Sequence, residues 1–433
     1  MSQTESTAAA EEFAARHGRW NFAMVALDYG FYNLGMSFVA ITTITAALAQ
    51  RLGAPNLVIG AIPAVMSVGY ALPTLFTANY TERLPRKLPF ILLYTVWERV
   101  PLLFVALAVY FLGVSAPSVV LVVLLASLAL VFSAGGALTP AWMDLIAKVV
   151  KPNRRGRVFA IGSTLGALLG LVGARVSEHF LQAYDYPLSY ALCFATGFAF
   201  LMVSFGFIAM VKEPQLHTGK PRLSFRDYAR RLPAVLRDDR HFAWFLVYRC
   251  LISVAGMASG FYTVFALREL AVPEWEVARF TFVTLLTIVI ATIALGWVGD
   301  HAGHRLVLAV SGVAMVVANV LAYLATGVEA VYVVFAANAV SLAGATVSML
   351  TMSMEFAPET DRPTYIGLAG TLTAPFAAVA PLVGGALADA AGYGPVFVLA
   401  AALSVFAVLT LVTRVADPRM SRRAAGTTIA DAG

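Results

Sequence analysis

Charge is what this chain has least of. Only 12% of its 433 residues are Asp, Glu, Lys or Arg, about half the share of a soluble domain. Hydrophobic residues make up 60% and run in long blocks that no soluble core requires. Cysteine is also scarce: Cys193 and Cys250 lie in different apolar blocks, which excludes a disulfide framework or a thiolate metal site. No Walker A phosphate loop is present, since Gly219-Lys220 lacks its upstream glycine and is followed by Pro221, and this argues against an ATP-driven pump. The His-Glu-x-x-His and Gly-x-Ser-x-Gly motifs of hydrolases are missing, as is any cluster of His or Cys, so neither an enzyme nor a metal or other cofactor is expected. The polar first nineteen residues, with Glu5, Glu11 and Glu12, lack the basic start and short apolar core of a cleaved signal, so the first apolar block is expected to be retained.

What the chain does have is a motif that occurs twice, 218 positions apart. The second copy, Gly296-Trp-Val-Gly-Asp300-His-Ala-Gly303-His304-Arg305, reads G-x-x-x-D-x-x-G-x-R after an apolar block. The first, Ala78-Asn-Tyr-Thr-Glu82-Arg83-Leu-Pro85-Arg86-Lys87, sets acid against acid and base against base. Asn21 with His241, Ala47 with Ala266 and Pro55 with Pro273 stay in step at offsets drifting only from 220 to 218. Two halves running parallel are the internal symmetry of one class of transporter.

At roughly 20 residues per bilayer crossing, the blocks predict twelve spans, at 20–49, 57–81, 89–112, 118–147, 158–183, 188–211, 242–267, 279–298, 306–326, 330–356, 364–390 and 394–413. The expected organisation is a cytoplasmic tail (1–19), a six-helix bundle (20–211), a basic central loop (212–241), a second bundle (242–413) and a cytoplasmic tail (414–433). Of 30 Lys and Arg residues, 24 fall in the termini and the connections that would share their side, which places both termini in the cytoplasm of an inner membrane. That rule accounts for the +6 charge, so no nucleic-acid partner is implied. The run Arg226, Arg230, Arg231, Arg237, Arg240 predicts an amphipathic helix on anionic lipid heads.

Twelve spans in two halves, a long basic loop between them and the G-x-x-x-D-x-x-G-x-R motif after spans two and eight resemble the major facilitator superfamily over nearly the whole chain. The turn Asn153-Arg154-Arg155-Gly156-Arg157 after span four resembles the Arg-Gly-Arg turn of its bacterial members. The first motif departs from the pattern at Ala78, Glu82 and Pro85. Span five carries Gly162, Gly166, Gly170 and Gly173 but lacks the Gly-Pro signature of proton-drug antiporters. The resemblance implies an all-α membrane protein of two pseudo-symmetric six-helix bundles that works by alternating access.

Physical chemistry gives the motif a role. Gly296 and Gly303 remove side chains where helix ends approach, and Asp300 places a carboxylate where a helix N-terminus or guanidinium would stabilise it. Arg155 and Arg157, opening span five, are its expected partners, and by symmetry Arg362, opening span eleven, that of Glu82. With Arg83, Arg86 and Arg305 these residues form the expected gate.

Ionisable residues inside spans are costly in lipid and mark pathways. Asp28 and Arg249, about eight residues into spans one and seven, would lie ~12 Å below the boundary, near the midplane. In the resembled fold these spans line the central cavity from opposite halves, which makes the two residues the leading substrate or coupling candidates, a structural ion pair being the alternative. Tyr29, Tyr32, Asn33 and Ser37 of span one and Tyr248, Ser253, Tyr262 and Thr263 of span seven would line the cavity. So would the face Asn338, Ser341, Ser348, Met352 and Glu355 of span ten, unless it is a packing seam. Glu98 and Arg99 are adjacent and point in different directions, so Arg99 is expected to turn toward Asp28 or Asp144, with Glu98 a second proton carrier beside Asp28. Arg175, Glu178 and His179 are expected to form a network at the outer end of span five, and Asp389 is expected at the interface.

The function these features imply is secondary active transport of a small solute, proton-coupled, with efflux of an amphipathic compound as one form. A uniporter or symporter of a polar or anionic solute is the alternative within transport, and a non-transporting receptor the alternative outside it. The expected partners are a small-molecule substrate, the bilayer and the proton, acting on a monomer.

Overall fold

The computed structural model describes residues 3–81, 83–215, 239–357 and 362–417. Every regular element among them is helical. Twelve segments are long and apolar enough to cross a membrane, spans one to twelve: Arg16–Arg51, Asn56–Thr74, Leu88–Leu112, Pro117–Val149, Arg154–Ala183, Leu188–Ala209, Arg240–Arg268, Glu276–Ala302, His304–Leu324, Val328–Phe356, Tyr365–Ala391 and Tyr393–Arg414. These agree with the predicted spans to within a few residues at most ends. Large apolar side chains point outward, with Phe76 at 77% and Ile293 at 72% exposure, while Asp28, Glu98 and Arg99 are buried. That inversion of the soluble pattern is what a hydrocarbon solvent selects.

Spans one and seven are broken at matching places. In span one, helix Gln3–Ser37 gives way to a π-helical turn, Ile41–Thr45, before helix Ala46–Arg51. The turn is β-branched throughout, and Thr45 Oγ1 donates to the Val39 carbonyl at 2.9 Å, a side-chain bond that competes with the helical ladder. In span seven, helix Arg240–Ala255 passes through the 3₁₀ turn Gly256–Gly260 to helix Tyr262–Arg268. Glycines at both ends of that turn weaken the α form, and Ser259 Oγ donates to the Gly256 carbonyl at 2.8 Å. Past each break the backbone takes positive φ, at Gly53 (81°) and at Ala271 (50°), again 218 positions apart.

The chain forms two compact units: Met1–Ala54 with Val65–Pro221 and Pro273–Phe282, and Pro55–Ala64 with Arg222–Val272 and Val283–Gly433. Residues 55–64 thus fall in the second unit and residues 273–282 in the first. In the second unit Asp389 accepts from the backbone N–H groups of Asn56 and Leu57, both at 2.8 Å, and Asn56 Oδ1 accepts from Arg268 (2.9 Å) and Tyr393 (2.7 Å). Asp389, expected at an interface, instead satisfies the N–H groups that open span two. In the first unit Glu178 accepts from Arg279 at 2.6 Å and from Arg175 at 2.7 Å, while His179 is exposed, its ring tilted against Phe180 and edge-on to Tyr184.

Small residues seat the helices within each unit. A Cβ at Gly162 would stand 2.9 Å from Tyr29 Cδ1 and one at Gly166 2.7 Å from Asn33 Cβ, so span five receives the side chains of span one in its glycine row. In the second unit Ser348 of span ten bonds His304 at 3.0 Å, and Gly344 lies against Ser311 of span nine. Ser341, Ser348 and Met352 are buried on that side. The polar face of span ten, expected to line a cavity, is a packing seam over these residues.

Candidate functional site

In the first unit, spans one, two, three, four and six line a half-open cavity of about 130 Å³ bordered by Asp28, Tyr32, Tyr70, Glu98, Arg99 and Trp142. At its wall two carboxylates share one guanidinium. Arg99 Nη2 faces Asp28 Oδ1 at 3.7 Å and Nη1 bonds Glu98 Oε2 at 3.1 Å, all three side chains being less than a tenth exposed. Arg99 turns inward toward Asp28, one of its two expected partners. The expectation that neighbours on a helix cannot meet fails here, because the long Arg99 side chain curls back along span three, and its Nη1 also bonds the Thr95 carbonyl at 3.2 Å. The remaining donors go to span six: Nε to the Leu201 carbonyl at 2.8 Å and Nη2 to Ser204 Oγ at 3.0 Å. A guanidinium has five N–H groups, and each now faces a protein acceptor.

The carboxylates are held as closely. Asp28 Oδ1 accepts from Ser204 Oγ at 2.7 Å and Oδ2 lies 3.4 Å from the Trp142 indole N–H. Glu98 Oε1 accepts from the Tyr32 hydroxyl at 2.9 Å and Oε2 from Thr95 Oγ1 at 3.3 Å. Tyr29 stacks on Trp142 with centroids 6.0 Å apart. Gly136 brings spans two and four together, since a Cβ there would stand 2.6 Å from the Tyr70 carbonyl oxygen, and this carries Tyr70 into the wall.

The other candidates are placed as follows. Asn33 packs on Gly166 and donates to the Tyr29 carbonyl at 2.7 Å, so it serves the helix seam and is not among the residues around the cavity. Arg249 belongs to the second unit, where Nη1 bonds Ser353 Oγ at 3.0 Å and the Met349 carbonyl at 3.5 Å, and it makes no ion pair among the described residues. Asp28 finds its guanidinium inside its own half. Tyr262 is a core residue, its hydroxyl on Asn319 at 2.9 Å and its ring against Phe335 and Phe397. Ser253 and Asn338 are half-buried in the second unit.

The two motif copies build different turns. Span eight ends at Ala302 and span nine starts at His304, joined by Gly303 at φ 94°, a conformation that favours glycine. In the first copy Pro85 holds that register and its ring locks φ near −65°, so helix Asn56–Thr81 is separated from Leu88 by a longer connection. Gly296, expected at a close approach, has open space around it. The crowded glycines are Gly303, whose added Cβ would meet Asp417 Oδ2 at 2.6 Å, and Gly299, whose Cβ would meet the His304 ring at 2.9 Å. Asp300 is exposed, and it belongs to a different unit from Arg155 and Arg157. Arg155 Nε turns back to the Val150 carbonyl at 3.2 Å, and Arg305 Nε reaches the Leu411 carbonyl at 3.4 Å, each beside the end of a preceding or neighbouring span. Arg83, Arg86 and Arg157 are exposed. Glu82, the Arg362 side chain and the run from Arg226 to Arg237 lie outside the described residues.

Lys87, the base that ends the first motif copy, is buried, and so is Glu213, which no sequence pattern singled out. Glu213, just past span six, accepts from the backbone N–H groups of Lys87 (2.7 Å) and Leu88 (2.8 Å) and meets Lys148 at 3.4 Å. Lys87 Nζ bonds the Thr81 carbonyl and faces Asp144 at 3.6 Å. Desolvation and the nearby Lys148 pull the Lys87 ammonium below its ordinary pKa, against Asp144, which raises it.

Twelve apolar helices with buried charges define a multi-pass membrane protein. The profile of the Major Facilitator Superfamily matches residues 27–278 and 274–429, and the chain belongs to this family. Its fold is similar to that of a mutant form of the nucleoside transporter NupG (TM-score 0.72, 12% identity, covering 91% of this chain and 99% of that one). It is also similar to a D-xylose-proton symporter (0.68, 13%, 92% and 98%) and to a bacterial homolog of the human lysosomal transporter Spinster in an inward-facing, occupied conformation (0.67, 14%, 92% and 96%). No curated protein matches it in sequence. The protein is a membrane transporter, not an enzyme.

Proposed function

We propose that the protein is a secondary active transporter of a small solute, coupled to protons through Asp28 and Glu98, in a plasma membrane with both termini cytoplasmic. The observation that carries this reading is the pair of buried carboxylates sharing Arg99 beside a cavity. Two acids and one guanidinium leave one negative charge unmatched, and an unmatched charge is expensive in a membrane interior. A proton on either carboxylate removes it, and so does a charged solute. Arg99 keeps its charge throughout. Exchange of a proton against solute at such a cluster, opened to each side in turn by rocking of the two halves, is coupled transport.

Asp300 with Arg155 and Arg157, and Glu82 with Arg362, are proposed as contacts of the gate. A second reading, transport of an anion, rests on Arg249, whose bonds are to neutral groups only. A thermal-shift screen for solutes, followed by counterflow and gradient-driven uptake in proteoliposomes, tests the proposal. Asp28→Asn is expected to keep exchange and lose accumulation, because an amide hydrogen-bonds but carries no exchangeable proton. Normal accumulation by a well-folded Asp28→Asn protein would remove this residue from the mechanism.

A further inference from the structure

We infer that the cavity beside Asp28, Glu98 and Arg99 takes a protonated amine carried on a single ring, in exchange for the proton. This rests on the coupled-transport reading above and names its substrate class.

Donor and acceptor accounting at the cavity wall carries the argument. Four of the five Arg99 N–H groups donate to protein oxygens and the fifth faces Asp28 Oδ1 at 3.7 Å, so the guanidinium is largely committed to the protein's own groups. Most neutral donors are used internally as well: Tyr32 and Thr95 donate to Glu98, Trp142 to Asp28, and Thr139 Oγ1 to the Gly135 carbonyl at 2.7 Å, which leaves the hydroxyls of Tyr29 and Tyr70. Acceptors are in surplus. A carboxylate offers about four lone-pair sites, and Glu98 Oε1 and Asp28 Oδ2 each have a single hydrogen-bond donor. A wall in which two carboxylates share one guanidinium, one negative charge out of balance, selects a ligand that donates hydrogen bonds and carries positive charge.

Shape and surface narrow the class further. Tyr29, Tyr32, Tyr70 and Trp142 line the cavity, and aromatic rings attract a cation within about 6 Å, as the Tyr32 ring already does for Arg99 at 5.7 Å. The volume of about 130 Å³ is close to the roughly 150 Å³ cavity that holds one benzene molecule, so one ring fills the space beside the carboxylates. A bound ammonium neutralises the cluster as a proton does, which makes the two competitors for one charge position.

The test uses the full chain in lipid nanodiscs and isothermal titration with benzylamine, benzyl alcohol and benzoate, which share a ring and differ in charge. The inference requires benzylamine to bind about tenfold or more tightly than benzyl alcohol, with benzoate weakest, as expected when a charge-assisted bond replaces a neutral one. Benzylamine binding should release about one proton and weaken as pH falls. Glu98→Gln should lose about tenfold for benzylamine and little for the alcohol, whereas Trp142→Leu should weaken both. Equal or tighter binding of benzoate or benzyl alcohol, or no binding of benzylamine, overturns the ligand class. The charge series on the unaltered protein decides this even if Glu98→Gln fails to fold. Amine selectivity without proton release overturns the exchange. Loss of amine selectivity in a protein whose Asp28→Asn variant still loses gradient-driven transport overturns the ligand class alone and leaves proton coupling standing.

Discussion

The two halves share a backbone plan and differ in where they bury charge. Both break their first span, at Ile41–Thr45 and Gly256–Gly260, and both turn at positive φ soon afterwards, at Gly53 and Ala271. Yet the first unit closes two acids around Arg99, while Arg249 in the second bonds only a hydroxyl and a carbonyl. Duplication supplies a frame that fixes helix positions, and the side chains set into it have diverged. Chemistry is therefore to be sought in the asymmetry, and the acids stand in the first half.

The sharpest break of this comparison is to remove each arginine in turn. Arg99→Met strands two buried carboxylates and is expected to cost about 3–5 kcal/mol, seen as loss of folded protein on size-exclusion after detergent extraction. Arg249→Met loses bonds to neutral partners, about 1–2 kcal/mol, and should extract normally with a modest fall in melting temperature. Equal losses in the two variants would erase the asymmetry.

Next in size are the acids that open helices from a distance. Glu213→Ala removes the carboxylate that receives the N–H groups of Lys87 and Leu88, and Asp389→Ala does the same for Asn56 and Leu57. Each should cost about 1–2 kcal/mol by thermal unfolding. Glu213→Ala should be the worse of the two, since it also removes the counter-charge of Lys148. The smallest effect is at the paired positive-φ sites. Ala271→Gly should stabilise by about 1 kcal/mol and Gly53→Ala destabilise by about as much, because a Cβ in the left-handed region meets the following carbonyl. A shift of the same sign in both would mean the two turns are not equivalent.

Span number and the duplication were legible because they rest on long averages: apolar runs of about 20 residues and a register kept over hundreds of positions. The inward turn of Arg99 was legible too, since a guanidinium within a span needs an acid. Its simultaneous bond to Glu98 was not, because neighbouring residues leave a helix in different directions and only a long side chain can fold back. Trp142, Ser204 and Thr95 carry no local mark in the sequence that sets them apart from other span residues. Their part at the cavity follows from which helices pack together, which periodicity does not encode. Tyr262, Asn33 and the face of span ten looked like cavity residues for the opposite reason: polar groups within a span mark either a cavity or a seam, and pattern alone does not separate the two. The first turns of spans two and eight are met by distant partners, Asp389 and Glu178, for which the sequence carries no local signal.

The central claim, that coupling resides in the carboxylates of the first half, is tested most directly by accumulation of a screened solute in proteoliposomes under an imposed proton gradient. The same preparation would compare the unaltered protein with Asp28→Asn, Glu98→Gln and Arg249→Met. The account predicts that both carboxylate variants keep exchange without a gradient and lose accumulation, while Arg249→Met still accumulates. Accumulation that survives in a folded Asp28→Asn, Glu98→Gln double variant, or a loss confined to Arg249→Met, would contradict it.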